Sequence, residues 1–172
     1  MQISEMLTGG EPRSLGKTDQ VVQLVLSHPE RLEELFECVF HPDEVVRMRA
    51  GDALEKVCYQ EPEWFEPFKE RLLNEVSGIN QASVKWHLAQ MFGEITMSQA
   101  EKERAVNIML HNLETSGDWI VINLTLESLA KFAKENVLNH DTFVSLLKKH
   151  QQSPYKSVAS RANKLLRKFE HD

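Results

Sequence analysis

Seven histidines (His28, His41, His87, His111, His140, His150, His171) and two cysteines (Cys38, Cys58) are the residues best suited to metal or acid–base chemistry. Their spacing gives them little to do. No two histidines stand in the His-Glu-x-x-His arrangement that sets two imidazoles around zinc on one helix face, and the cysteines make no Cys-x-x-Cys pair. There is no Gly-rich phosphate loop and no Gly-x-Ser-x-Gly elbow. Cys38 and Cys58 lie in apolar-periodic segments and read as reduced core thiols. One constellation remains: Trp86 with His87, Asp52 and Glu127, where an aromatic wall beside carboxylates can support acid–base work. Carboxylates on a solvated helical face more often serve solubility. The expectation is a protein without catalytic activity, metal or cofactor.

The elements that carry these residues belong to an ordinary globular chain. It has 172 residues, 20 Lys+Arg against 26 Asp+Glu for a net charge of −6, and 41% hydrophobic residues. Such a length fits one domain able to bury a sizeable core. No stretch reaches the roughly 18 apolar residues that cross a bilayer, and residues 1–17 lack the basic start and apolar core of a secretory signal. A cytoplasmic protein is expected, with no membrane partner. Asn123-Leu-Thr125 then matches the glycosylation pattern by coincidence.

Self-similarity settles the architecture. Val46, Val84, Val121 and Val158 recur with a period of about 37 positions, in the range that marks a repeat protein. Leu54, Phe92, Leu129 and Leu166 keep the same period, as do Val57, Ile95, Phe132 and Phe169, and a leucine (Leu35, Leu73, Leu110, Leu147) precedes each valine by one constant interval. Within a copy, Val46, Ala50, Ala53, Leu54 and Val57 follow the spacing of one helix face, and no period-2 alternation competes with it. The spacing predicts helices near 18–40, 43–59, 62–77, 81–95, 98–114, 118–133, 141–150 and 154–170, paired antiparallel. Ser98-Gln-Ala-Glu101 has capping-box spacing, and Asp43, Asp118 and Asp141 can start helices. Residues 1–17 read as a loose lead-in with one short turn at Ile3–Leu7, followed by a single domain over 18–172.

The run Asp43-Glu-Val-Val46-Arg47-Met-Arg-Ala50-Gly-Asp-Ala53-Leu54-Glu-Lys-Val57 resembles the second helix of a HEAT repeat. Pro29 and Pro67, each at the same short distance before its repeat's leucine, resemble the proline that bends the family's first helix. The resemblance covers about residues 18–170 and implies an all-α, right-handed alpha-alpha superhelix of about four helical pairs. It also implies an Asp–Arg ladder between neighbouring copies, here patchy: Gln81 and Tyr155 occupy the Asp column, Ile122 and Ala159 the Arg column. Stacking is then expected to rest on apolar burial. Lys164, Arg167, Lys168, Glu170 and His171 are the expected polar cap at the C-terminal end.

In such a fold the second helices line the concave side. At about 100° per residue, the face opposite the core valine is Met48/Trp86/Asn123/Ser160, flanked by Asp52/Gln90/Glu127/Lys164. Trp86 is singled out, because core packing demands no indole there and Trp is enriched in binding hot spots. Trp64 and Trp119, near helix starts, read as packing residues. Charge is uneven: residues 30–75 hold 6 Lys/Arg against 13 Asp/Glu, and residues 131–168 hold 9 against 2. The expected function is a non-enzymatic scaffold that grips a protein partner with Met48, Asp52, Trp86, Gln90, Asn123, Glu127 and Lys164; no small molecule is called for. The alternative is a nucleic-acid-binding solenoid related to the alkylation-repair DNA glycosylases, which resemble this architecture. The acidic Asp52, Glu55 and Glu127 argue against it, leaving only the C-terminal third to meet phosphates.

Overall fold

The computed structural model describes residues 1–169, and every regular element among them is helical. The repeat columns form the core. Val46, Val84, Val121 and Val158 are at most 2% exposed, and the Leu54 and Val57 columns are buried in all four copies. The expected single domain divides into two compact units, Met1–Thr96 and a second beginning at Met97, each built on two helical pairs.

In the first unit, α1 (Ile3–Leu7), α2 (Thr18–Ser27) and α3 (Leu32–Glu37) pack against α4 (Glu44–Gln60), and α5 (Lys69–Asn74) leads to α6 (Ala82–Phe92), which lies along α4. The expected bent helix over 18–40 is two helices joined by a 3-10 turn, Pro29–Arg31. Proline clashes with a helical conformation of the residue before it, and His28 accordingly leaves the helix at φ −135°, ψ 76°. Pro62 has the same effect: Glu61 leaves α4 at φ −134°, ψ 65°, and residues 62–68, with Pro67 inside, wind as 3-10 helix before α5 begins. Asp43 caps α4 by accepting from the Val45 amide at 2.8 Å.

The lead-in is not loose. Ile3 and Leu7 are fully buried, and each such side chain contributes about 1.5–3 kcal/mol of apolar burial. The loop that follows closes around Arg49, only 1% exposed, whose guanidinium donates to the carbonyls of Leu7 (2.7 Å), Gly9 (2.7 Å), Glu11 (3.0 Å) and Ser14 (3.0 Å). Gly16, at φ +55°, lies against this cation: a Cβ there would stand 3.0 Å from Arg49 Cζ. The short Ile3–Leu7 helix falls where the sequence places it.

The polar link between the first two copies survives by substitution. Arg47 Nε donates to Gln81 Oε1 at 2.7 Å, and Gln81 Nε2 donates to the Glu44 carbonyl at 2.9 Å. The residue in the Asp column still accepts the arginine's hydrogen bond, through an amide oxygen instead of a carboxylate.

In the second unit, α7 (Gln99–Thr115) packs on α8 (Trp119–Lys134), and α9 (His140–His150) on α10 (Lys156–Phe169), with α8 and α10 in contact. The capping box at Ser98 forms with both bonds, Glu101 N to Ser98 Oγ and Ser98 N to Glu101 Oε2. Asp118 accepts from the amides of Ile120 and Val121. Asn139, not Asp141, caps α9. Tyr155, in the Asp column of the last copy, donates from its hydroxyl to the Gly117 carbonyl at 3.0 Å, another substituted rung.

Other expectations shift here. Leu110 is only half-buried, and Met109 takes the core position instead. Trp119, expected to pack, is 46% exposed. Of the expected terminal cap, Lys164, Arg167 and Lys168 are exposed on α10, and Glu170 and His171 lie outside the described residues.

Candidate functional site

The first unit carries four of the seven expected partner-binding residues. Met48 and Asp52 lie one turn apart on α4, and Trp86 and Gln90 one turn apart on the adjacent α6; all four are half-buried. The helices can approach closely because residue 51 is glycine. A Cβ at Gly51 would come within 3.2 Å of His87 Cδ2, so the imidazole fills the space a larger residue would take. His87 Nδ1 then meets Glu55 Oε2, joining α6 to α4. The Trp86 ring sits beside that imidazole, centroids 5.6 Å apart at 57°. Thus Trp86 does fold partly sideways, yet keeps an accessible edge.

The carboxylates of this face are engaged. Lys56 Nζ lies 2.8 Å from both Asp52 Oδ2 and Asp19 Oδ1. Burial works against its charge, but the hydrogen bonds and field of the two carboxylates prevail and raise the ammonium above its ordinary range. The His87–Glu55 and Lys56–Asp52 pairs are ties between helices or along one, and they leave no carboxylate placed as a free general base. Glu127 lies in the other unit. The imagined acid–base group of Trp86, His87, Asp52 and Glu127 is therefore not assembled within either unit. Among the described residues no group of three or more His, Cys, Asp or Glu side chains is placed to hold a metal ion, and no helix is long and apolar enough to cross a membrane.

Tyr59 was not anticipated. It stands at the end of α4, 73% exposed, on the stripe 48, 52, 55, 59 that already carries Met48 and Asp52. It borders a groove of about 550 Å³ between α2 and α4, lined also by Asp19, Val22, Gln23 and Lys56. The helical spacing from Met48 to Tyr59 was the signal available in the sequence.

In the second unit the three remaining residues part company. Asn123 is 7% exposed, and its Oδ1 is buried without a hydrogen-bond partner. Its side chain belongs to the interior of this unit because α8 is buried over most of its circumference, from Val121 through Ala133. Glu127 is exposed and paired with Arg161 at 3.0 Å. Lys164 is exposed on α10.

The cysteines are chemically quiet. Burial, reinforced by Glu34 and Glu37, pushes the Cys38 thiol up to about 11. Burial again, with Glu94 and Glu55 adding to it, pushes Cys58 to about 12.

Comparison with protein families finds a HEAT repeat domain over residues 5–116. No curated protein and no solved structure matches the chain. The matched stretch runs from α1 through α7 and takes in Met48, Asp52, Trp86 and Gln90. It covers well over half of the chain, and the apolar columns continue past its end through Val121 and Val158. The chain belongs to the HEAT-repeat family.

Proposed function

We propose that this chain is a non-catalytic cytoplasmic scaffold that binds a segment of a protein partner on the exposed faces of its second helices. A HEAT-repeat domain is a helical-repeat scaffold able to mediate protein interactions. The observation that carries the finer reading is Trp86: an indole left half-exposed on a helix whose other large apolar side chains, Leu88, Met91 and Phe92, are buried, with Gln90 one turn along it and Met48 and Asp52 on the adjacent α4. Large aromatics in partly desolvated settings dominate the energetics of most interfaces. Tyr59 adds a second aromatic on the same helix stripe as Met48. In the second unit Glu127 and Lys164 are exposed and offer a further contact. Asn123 contributes through packing.

The test is affinity capture from the source cell followed by titration of each captured protein with Trp86→Ala and Glu127→Lys. Loss of about 2 kcal/mol or more on Trp86→Ala is expected for a hot-spot tryptophan. Partners that bind both variants as tightly as the parent would remove the site.

A further inference from the structure

The second unit handles its positive charge differently from the first. In the first unit, basic side chains on helices meet acids three or four residues away: Arg31 with Glu34, Lys56 with Asp52, Lys69 with Glu66, Arg71 with Glu75. Between 131 and 168 there are nine Lys/Arg and two acids, Glu135 and Asp141. Arg161 pairs with Glu127, and Glu135 is taken by Lys102 at 2.5 Å. Lys134, Lys148, Lys149, Lys156 and Lys164 are exposed and make no ion pair among the described residues. Lysines in the last turns of α8 and α9 complement the helix dipoles, but that does not explain why these five have no partner acid among the described residues.

Two of these cations, Lys134 and Lys148, border a shaped surface. A groove of about 710 Å³ runs along α9, with Lys134, His140 and Lys148 on its walls and Ala133, Val144 and Phe169 contributing an apolar floor. His140 Nε2 lies 3.1 Å from the Phe169 carbonyl, which fixes the ring at one end. One carboxylate, Asp141, sits at the rim, its side chain 99% exposed.

We infer that the groove along α9 binds an extended acidic peptide segment that carries two carboxylates with an apolar residue between them. Lys134 and Lys148 meet the carboxylates, and the apolar floor receives the middle side chain. A short segment suits the site better than nucleic acid. The chain as a whole carries −6, so its net field disfavours a long polyanion, whereas a peptide engages only the groove walls.

The probe is a fluorescein-labelled peptide, Gly-Ser-Asp-Ala-Leu-Ser-Glu-Ser-Gly, titrated by anisotropy against the full chain at about 50 mM salt, beside its Asn/Gln analogue and a short DNA duplex. Expected is binding of the acidic peptide alone, weakened roughly tenfold or more by Lys148→Glu and by Lys134→Glu, and weakened again by raising salt toward about 0.3 M. Lys17→Glu, on the first unit, leaves it unchanged, and so does Trp86→Ala, which separates this site from the one proposed above. Both groove lysines are exposed, so matched circular-dichroism melts establish that the variants fold. Equal binding of the Asn/Gln analogue, indifference to both groove substitutions, or tighter binding of the duplex through the same lysines would each overturn the inference. Salt-sensitive self-association removed by Lys148→Glu, without peptide binding, would overturn it as well.

Discussion

Replacing Arg49 tests how the N-terminal segment, residues 1–17, is held. The guanidinium is buried, has no carboxylate among its bonds, and is satisfied by four carbonyls from residues 7–14. In Arg49→Met the apolar stem is preserved and the donors are lost. If the loop stayed in place, the Leu7 carbonyl would be left unpaired in the interior, at about 1–3 kcal/mol, while those of the exposed Gly9, Glu11 and Ser14 could turn to water. With all four bonds to the guanidinium lost, the segment is held mainly by Ile3 and Leu7 and lets go. The loss is then bounded by the burial of Ile3 and Leu7, about 3–6 kcal/mol together, less the chain entropy recovered on release. We expect a net destabilisation of about 2–4 kcal/mol. Arg49→Lys, with three donors and no fork, should fall between parent and Arg49→Met. Urea unfolding followed by circular dichroism gives the magnitude. Limited trypsin digestion gives the location, since release opens the bonds after Arg13 and Lys17, both exposed. A change under about 0.5 kcal/mol, within the range of ordinary surface substitutions, together with unchanged cleavage at Arg13, would refute this account of the lead-in.

Three further outcomes follow from single sites. Gly16→Ala places a methyl 3.0 Å from Arg49 Cζ at a positive φ and should destabilise by about 1–3 kcal/mol, whereas Gly78→Ala meets nothing within 4 Å and should stay within about 0.5 kcal/mol on the same urea curves. Burial alone would raise the Glu34 carboxyl, but the Ile3 amide and the Arg31 fork outweigh it and hold it below its ordinary 4.5; its contribution is therefore complete above that value and fades as pH falls through the lower folded pKa, so the urea midpoint should drop below about pH 4.5 in the parent, with a weaker dependence in Glu34→Gln. Thr125 Oγ1 is buried without a partner on α8, and Thr125→Val should stabilise by about 1 kcal/mol in thermal melts; a loss of similar size would mean the hydroxyl has a bond to keep.

Much of this molecule was readable before any coordinates. The repeat period, the Val46 and Leu54 columns and the capping box at Ser98 are local or translational properties: a helix face is written in i, i+3, i+4 spacing, and a repeat is written by copying it. The same arithmetic placed Met48, Asp52, Trp86 and Gln90 on partly exposed faces of α4 and α6. It failed for Asn123, because single-helix periodicity assigns one inward face and α8 is covered by neighbours on more than one side. It missed Arg49 for the opposite reason. A charged residue beside Ala50, on the core side of α4, looks like an error in the pattern until a loop from far upstream in the chain supplies four carbonyls to it. Tyr59 stood in the right stripe and went unremarked because exposure depends on what packs nearby. Local spacing along the chain was sufficient to define the helices and their stacking period. The neutralisation of a buried cation, the burial of an amide and the grouping of lysines around α9 were decided only when segments distant in sequence came together, since desolvation and charge pairing depend on all neighbours in space.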